Sequence, residues 1–421
     1  MGAMGRTMIR YLVIIIIVVG GSVTANAREL VVGLSSAVTS LSSALKMAKP
    51  YDTLCVNAGT YHPDSTLIIT KPLYIFGNGN AQIEAAQNQG IFEIRSDSVT
   101  IAGFTLQNVP KNYLKDLAAI WVDYSQHFYI GNNTINNCFF GIFITKSKNG
   151  IVENNTVKGQ AIHEHSSANA IHLWYCQKMV VKNNWVRHHR DGIYLEFVDS
   201  SNIENNISEQ NLRYGLHFMF SNYDAYQQNT FSNNGAGVAV MFSKFIQMHR
   251  NNFNANWGDA AYGLLLKEIY DGEITGNTFQ KNTVGIFAEG ANRIHLRQND
   301  FIANGWALKI RGSAMNNEFC YNNFIGNSFD LATDARTDYN SYHHNYWEEY
   351  SGYDLNKDGL GDVPHRPVKL FAYLVSKLDE SILLMRSSFI ELLNFAEKVA
   401  PSVTPTSLMD KTPLMKMYRP A

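Results

Sequence analysis

The stretch Asn229–Phe242, NTFSNNGAGVAVMF, contains two markers that recur along the chain with a period of about 23 residues. The first marker is an asparagine with an apolar residue two positions later, and the second is a glycine followed by apolar residues. The asparagine marker begins at Asn133, Asn155, Asn184, Asn205, Asn229, Asn251, Asn277, Asn299, Asn322 and Asn345. The glycine marker occurs at Gly141, Gly192, Gly215, Gly237, Gly263 and Gly285, with Ala170 and Ala307 in the equivalent place.

This repetition predicts an all-β fold, a right-handed parallel β-helix in which each repeat forms one coil of a solenoid. Leucine-rich repeats have a similar period, but the dense leucine frame that they need is absent. We expect the asparagines to support the scaffold, because their amides can hydrogen-bond from coil to coil and asparagine tolerates left-handed turns. Residues 34–48 have helical apolar spacing and are expected to cap the N-terminal end of a solenoid that spans residues 28–366.

The residues after each glycine divide into two faces, because side chains alternate across a strand. Positions one and three are apolar in eight coils and are expected to fill the interior. Positions two and four should face outward, and they include His217, Met219 and Met241. Adjacent coils lie about 4.8 Å apart, so the two methionines should be neighbours, and the small Ala239 should leave open space beside His217.

An outward column with two thioethers and an imidazole suggests a soft-metal site, because these ligands suit Cu(I). Trp174, Tyr194 and Glu196, which stand in the same two outward positions of the preceding coils, are expected to flank the site. The methionines could instead pack under a loop or against a partner protein, since an exposed apolar row often marks an interface. The residues alone leave both interpretations open.

A secreted β-helix that acts on or binds polysaccharides is the alternative function. Enzymes of that kind place paired carboxylates, or a calcium ion with a basic residue, on one outward face. Glu196 and Glu289 share an outward column but are four coils apart, roughly 19 Å, which is too far for a glycosidase pair. The sequence therefore favours a protein that is not an enzyme.

Residues 1–27 have the features of a Sec-type signal peptide, in which Arg6 and Arg10 precede an apolar run and Ala25 and Ala27 mark a cleavage site. Cleavage would remove two arginines and change the net charge from −1 to 33 − 36 = −3. Neither charge provides a basic field for nucleic acid. The four cysteines show no pairing pattern and are expected to be isolated thiols: Cys55, Cys138, Cys176 and Cys320.

Asp354, Asn356, Asp358 and Asp362 follow the last coil with the spacing D-x-N-x-D-G-x-x-D of a calcium loop. Alternate oxygen side chains can converge on a calcium or magnesium ion, and Gly359 permits the sharp turn. No glutamate stands at position twelve, so the segment is not a full EF-hand. A solvated turn without a metal is the alternative.

Residues 367–421 are predicted to form a helical extension with a loose tail beyond Pro401. The helical part could cap the solenoid or dock on a membrane protein at the bilayer surface. No stretch in it reaches the length of a membrane span. Its apolar stripe includes Ile382, Met385, Phe389, Leu392 and Leu393.

The chain resembles the NosD family, periplasmic β-helical proteins that act in the maturation of nitrous oxide reductase. The resemblance covers nearly all of the chain after the signal segment. It rests on the segments DGIYLEF (191–197), NLRYGLHFMFS (211–221), NNGAGVAVMFS (233–243), AYGLLLKE (261–268), NTVGIFAEG (282–290), GNSFDLATD (326–334) and GYDLNKDGLGDVPHRPV (352–368).

The resemblance implies a non-catalytic scaffold that works with an ABC permease, its ATPase subunits and a copper chaperone lipoprotein. Such a scaffold would accept copper and deliver it for assembly of the copper–sulfur centre of nitrous oxide reductase, an enzyme of denitrification. It would be periplasmic and would meet the membrane through the permease. With that role, His217, Met219 and Met241 are predicted to form a transient Cu(I) site, and the helical extension is predicted to dock on the permease.

Overall fold

The computed structural model describes residues 27–112, 114–258, 261–335, 337–384, 387–400 and 408–419. Residues 1–26 of the predicted signal segment, which spans residues 1–27, lie outside the described residues. The structure is a parallel β-solenoid, as the repeat predicts, and its strands form one sheet of 12 strands and one of 25. Through most coils the smaller sheet contributes one strand, which contains the glycine marker, and the larger sheet contributes two short ones.

The strands of the 12-stranded sheet are Leu67–Ile69, Phe92–Ile94, Ala118–Asp123, Phe140–Thr145, Ile171–Trp174, Asp191–Glu196, Tyr214–Met219, Ala236–Met241, Tyr262–Lys267, Val284–Glu289, Trp306–Ile310 and Phe329–Thr333. Those of the 25-stranded sheet are Glu29–Val32, Thr53–Val56, Gly59–Tyr61, Tyr74–Glu84, Thr100–Gln107, Tyr129–Gly131, Thr134–Asn136, Ile151–Glu153, Thr156–Lys158, Val180–Lys182, Trp185–Arg187, Asn202–Glu204, Ile207–Glu209, Ala225–Gln227, Thr230–Ser232, Gln247–His249, Asn252–Asn254, Tyr270–Thr275, Thr278–Gln280, Asn292–Arg297, Asp300–Ile302, Glu318–Cys320, Asn323–Ile325, Ser341–His343 and Tyr346–Trp347. The α-helices are Leu41–Met47, Leu370–Lys377 and Ser388–Val399, and the 3-10 helices are Glu164–Ser166 and Asp379–Leu384.

A ladder of buried asparagines runs along the solenoid, as predicted. In each of its steps, the Nδ2 of one asparagine donates to the Oδ1 of the next at 2.9–3.0 Å. The predicted member Asn205 is wrong by one residue, because Asn206 is in the ladder and Asn205 occupies the preceding turn with φ 54. The left-handed backbone and the ladder hydrogen bonds therefore belong to two adjacent residues and not to the same residue. The ladder comprises Asn133, Asn155, Asn184, Asn206, Asn229, Asn251, Asn277, Asn299, Asn322 and Asn345.

The glycine marker is explained by the close approach of successive coils. A Cβ at Gly215 would lie 2.8 Å from the carbonyl oxygen of Gly237, and one at Gly263 would lie 2.7 Å from that of Gly285. The two residues that follow the marker at positions one and three are buried in the interior, as predicted; Leu216 and Phe218 are 0% exposed. A column of interior rings, whose successive centroids lie 4.1–5.5 Å apart, adds to this core: Phe231, Phe253, Phe279, Phe301, Phe324 and Trp347.

The N-terminal helix is shorter than its apolar pattern predicts. It spans Leu41–Met47 and begins after Ser40, whose side chain accepts a hydrogen bond from the backbone N–H of Ser43. Ala44 and Leu45 are buried in the main core. The preceding residues instead form a turn and an isolated bridge between Val32 and Val38.

The C-terminal extension contacts the solenoid in two places, on the outer face of the 12-stranded sheet and at the last coils. Phe371 and Val375, in the helix Leu370–Lys377, join a buried cluster with Trp306 and Phe329 of the 12-stranded sheet. Residues 408–419, predicted to be a loose tail, are ordered against the last coils, and that prediction is wrong. The reason is Asp410, which is 0% exposed and accepts hydrogen bonds from the last asparagine of the ladder. Among the described residues, no helix is both long and apolar enough to cross a membrane.

Candidate functional site

Two adjacent strands of the 12-stranded sheet hold the predicted copper residues, and the strand before them holds two of the flanking residues. Parallel pairing places Met219 opposite Met241 and His217 opposite Ala239, as the glycine alignment predicts. The same register places Glu196 opposite Met219 and Tyr194 opposite His217. Both methionines are half-buried. The two thioethers therefore lie in adjacent coils of one outward column.

His217 is buried, so the open space predicted beside Ala239 is absent. Ala239 has no exposed surface, and His217 is only 5% exposed. The imidazole lies between the rings of Tyr194 and Tyr214, each 4.7 Å away between centroids. The sequence prediction failed because the pairing register skips the glycine. Tyr214, which precedes Gly215, therefore shares the outer face with His217 and covers it.

Both ring nitrogens of His217 are buried and have no hydrogen-bond partner. The closest acidic group is the carboxylate of Asp191, whose Oδ2 lies 3.9 Å from Nδ1. A carboxylate on that side favours the tautomer with the proton on Nδ1, which leaves the lone pair of Nε2 free. A buried nitrogen without a partner costs free energy, so it is a candidate ligand atom for a guest.

Asp191 provides a fixed negative charge behind the imidazole. It is fully buried, and Arg213 donates to both of its oxygens at 2.9 and 2.5 Å. Burial alone would raise the pKa of Asp191, but the hydrogen bonds and the charge of Arg213, together with the nearby His217, lower it to about 2. The carboxylate is therefore ionised at neutral pH.

A second imidazole, which the sequence analysis did not select, stands one coil before Tyr194. The ring of His172 contacts that of Tyr194 at 4.6 Å between centroids, and its Nε2 is buried without a partner. Burial, with the charge of Arg190, lowers the pKa of His172 to about 3, so the ring is neutral. The sequence contains the signal for this second imidazole, since His172 and His217 both occupy outward position two, in coils that are two apart.

The predicted flanking residues lie beside the methionines. The hydroxyl of Tyr194 is 3.8 Å from the sulfur of Met219. Burial and the nearby Glu196 raise the pKa of Tyr194 to about 12, so this hydroxyl keeps its proton and can donate to the sulfur. Trp174 pairs with Glu196 in the strand register and is half-buried.

A strip of aromatic rings, here called the aromatic strip, borders the methionine column. It consists of Tyr175, Phe197, Phe220 and Phe242, each one residue after an outward position four, and successive rings stack at 4.5–5.1 Å. Phe220 and Phe242 are 39% and 43% exposed. A continuous exposed apolar strip of this kind is typical of a surface that contacts another protein.

The acidic loop is closed by its own hydrogen bonds. Asp354 accepts from the backbone N–H groups of Asp358 and Gly359, at 3.2 and 2.9 Å, and Asp362 accepts from that of Leu355 at 2.7 Å. Asn356 donates to Asp358 at 3.0 Å. Gly359 has φ 87, which a side chain would strain. The calcium or magnesium site stays a prediction.

The predicted docking residues divide between an exposed and a partly buried face of the helix Ser388–Val399. Phe389 and Leu392 are 50% and 64% exposed, while Leu393 is half-buried. Met385 and the side chain of Ile382 lie outside the described part of the structure. Two further residues, Phe395 and Val399, belong to the exposed face.

Comparison with known proteins finds similarity to one family and to one fold. Residues 156–352 match the family described as "Periplasmic copper-binding protein (NosD)", and residues 74–171 match "Right handed beta helix region". Two relatives, from Pseudomonas aeruginosa and Stutzerimonas stutzeri, are each named "Probable ABC transporter binding protein NosD" and are each 27% identical over 86% of this chain, covering 87% and 86% of their own lengths. The family 28 exopolygalacturonase of Yersinia enterocolitica has a similar structure, with a TM-score of 0.59 at 10% identity over 72% of this chain and 74% of its own. At that identity the likeness shows a shared fold alone.

Proposed function

Because the chain belongs to the NosD family of periplasmic copper-binding proteins, we propose that it is a non-catalytic scaffold that passes copper on. It receives Cu(I) from a copper chaperone lipoprotein and delivers it for assembly of the copper–sulfur centre of nitrous oxide reductase. It does so in the periplasm, attached to an ABC permease with its ATPase subunits. The relatives are named as binding proteins, which agrees with a role without catalysis.

One observation carries this proposal: two thioethers in register stand on the same outward face as a buried imidazole that lacks hydrogen-bond partners. Thioether sulfur and imidazole nitrogen are ligands that suit Cu(I). Met219 and Met241 are half-buried, whereas His217 is 5% exposed. Copper arriving from solvent would therefore meet the sulfurs first and the imidazole after a small movement of the covering rings.

The surroundings suit a cargo ion that must also leave. The site has no cysteine thiolate, and its two soft ligands are neutral and partly reachable. The Asp191 carboxylate lies 3.9 Å from Nδ1 of His217, on the side where second-shell carboxylates stand at metal sites. Thioethers carry no proton, so the two methionines can bind and pass on Cu(I) without releasing one.

Copper affinity is the direct test. The variant Met219→Ala/Met241→Ala should bind Cu(I) more than about tenfold more weakly in competition with a Cu(I) chelator. Loss of a single outer-shell partner already weakens metal binding by about tenfold or more, and this variant loses two direct ligands. Met315→Ala is the matched control, since Met315 is 38% exposed but lies outside the 12-stranded sheet. Transfer from the chaperone should fall in parallel. Unchanged affinity and transfer in the double variant would rule out this site.

The aromatic strip and the exposed face of the helix Ser388–Val399 are proposed as contact surfaces for protein partners. Ile390 of this helix packs against the cluster that the helix Leu370–Lys377 forms with Trp306 and Phe329. Its opposite side leaves Phe389, Leu392 and Phe395 half or more exposed. We assign this exposed side to the permease, since amphipathic helices commonly dock by such a face.

A substitution variant tests the docking assignment. Phe389→Ser/Leu392→Ser/Phe395→Ser should no longer co-purify with the permease, while its Cu(I) affinity stays at the wild-type value. Leu114→Ser is the control, because Leu114 is 95% exposed at a distant loop and should leave co-purification intact. Retained co-purification of the triple variant would show that the permease binds elsewhere.

A further inference from the structure

A second cluster of metal-ligand side chains lies on the 25-stranded sheet. Glu318 and Cys320 are two residues apart on one strand and share its outward side, and Cys320 pairs with His343 in the next coil. One ligand atom from each of these three residues lies within 4.8 Å of the other two. Among the described residues, this is the one such group of histidine, cysteine and acidic side chains.

The two oxygens of Glu318 face different neighbours. Oε1 lies 3.1 Å from Nε2 of His343, whereas Oε2 is bound by the guanidinium of Arg297 and lies 2.9 Å from Nδ1 of His295. A metal could therefore take Oε1 while Arg297 and His295 keep Oε2. The cationic Arg297 would not have to leave, and the carboxylate would be held in orientation from behind.

His343 also has a partner in place for its other ring nitrogen. Nδ1 of His343 lies 3.0 Å from Nδ1 of the adjacent His344. When Nε2 binds a metal, the ring proton must sit on Nδ1, and there it can donate to His344. Metal-ligating histidines usually have such a second hydrogen bond, which fixes the tautomer.

We propose that Glu318, Cys320 and His343 bind a Zn²⁺ ion through Oε1, Sγ and Nε2, with a fourth position open to solvent. This site is separate from the copper face and does not depend on the proposed function. A mixed oxygen, sulfur and nitrogen set suits Zn²⁺, which takes bonds of about 2.0–2.3 Å in a tetrahedron. The ligand atoms need to approach by only about 1 Å to reach that geometry.

The charges of the cluster agree with a dication. The hydrogen bonds to Glu318 outweigh its burial and lower its pKa to about 2, so it is an anion. Burial and the Glu318 charge raise the pKa of Cys320 to about 11, so the free thiol is protonated. Zinc binding then forms a Zn–S bond and releases the thiol proton to water. One thiolate and one carboxylate neutralise the two charges of the metal.

Zinc binding by the tag-free, reduced full chain tests the proposal. Equilibrium dialysis against Zn²⁺ with metal analysis should find an ion bound to the wild type. The variants Cys320→Ser and His343→Gln should each bind Zn²⁺ more than about tenfold more weakly than the wild type. Co²⁺ in place of Zn²⁺ should show a thiolate charge-transfer band in wild type that is absent in Cys320→Ser. His343 is partly exposed, so its variant should keep the wild-type circular dichroism.

Two controls separate this site from others. Cys55→Ser removes a different free thiol and should leave zinc affinity unchanged. Met219→Ala/Met241→Ala should also keep the zinc, even if it loses Cu(I). Absence of zinc from wild type, equal zinc affinity in all variants, or Cu(I) bound at Cys320 in preference to Zn²⁺ would each overturn the assignment.

Discussion

Replacing Asn229 by alanine measures how much the asparagine ladder stabilises the solenoid. The Oδ1 of Asn229 accepts from the backbone nitrogen and the Nδ2 of Asn206, both at 3.0 Å. Its Nδ2 donates to the carbonyl of Ile203 at 2.8 Å and to Asn251 at 3.0 Å. Alanine would leave two donors of Asn206 and the carbonyl of Ile203 without these partners. Asn206 and Asn229 are 0% and 1% exposed, so bulk water cannot replace them.

The expected loss follows from those three groups. A buried polar group left without a partner costs about 1–3 kcal/mol. Three groups give a maximum of about 9 kcal/mol, but a water molecule admitted to the vacated space would satisfy part of them. We expect the free energy of unfolding to fall by roughly 3–6 kcal/mol.

Urea unfolding followed by circular dichroism measures this loss as a shift in midpoint at constant slope. Asn205→Ala is the matched control. Asn205 is the exposed turn residue that precedes Asn206, has φ 54 and stands outside the ladder. Its left-handed backbone should cost about 1–2 kcal/mol as alanine. If the two variants lose the same free energy, the ladder is not the stabilising element inferred here.

Three further predictions concern stability. Asp410→Ala should lower the unfolding free energy by about 3 kcal/mol in the same assay, because three buried donors at 3.1 Å lose their acceptor. Unchanged stability would contradict the role of residues 408–419 as a cap. Calcium should raise the melting temperature of wild type but not of Asp354→Asn/Asp358→Asn, and equal shifts would exclude the acidic loop as its site. Lowering the pH from 7 to 5 should reduce the unfolding free energy by roughly 5 kcal/mol. Three histidines cause this loss: His172, His189 and His365. Burial lowers their pKa values to about 3–4, so they stay neutral in the folded chain, whereas in the unfolded chain they take up protons below their ordinary pKa of 6.5. Equal urea midpoints at the two pH values would refute this explanation.

The sequence was sufficient to predict what the repeat controls. Strand alternation after each glycine assigned Leu216 and Phe218 to the interior, and the constant spacing placed Met219 beside Met241. These predictions depend only on the local backbone and on stacking of equivalent positions. Both properties are shared by every coil, so one alignment determines them all.

The sequence was insufficient where the repeat is interrupted or where distant segments meet. The burial of His217 depends on Tyr214, which reaches the outer face because the glycine is skipped in the strand register. Asp410 caps a ladder residue that lies 65 positions earlier, and no periodic pattern announces this contact. Glu318, Cys320 and His343 lie on strands without a glycine marker, so the alignment did not compare them.

Segments outside the coils determine which part of the outer face can act. At the N-terminal side, Ala168 packs over Phe140 and Phe143, and at the C-terminal side the helix Leu370–Lys377 covers Trp306 and Phe329. The methionine column lies between these covered regions, with both sulfurs on half-buried side chains.

Ile390 of the docking helix packs against the cluster that contains Trp306, and so does Tyr262, the first residue of the strand that follows Met241 in the sheet. A partner bound to the helix would therefore stand on the same outer side of the 12-stranded sheet as the methionines. If such a partner controls access, the triple helix variant should leave the Cu(I) affinity of the isolated chain unchanged but slow transfer from the chaperone in the presence of the permease. If the wild type and the triple variant receive copper at equal rates in that mixture, docking of this helix does not control the transfer of copper to the methionines.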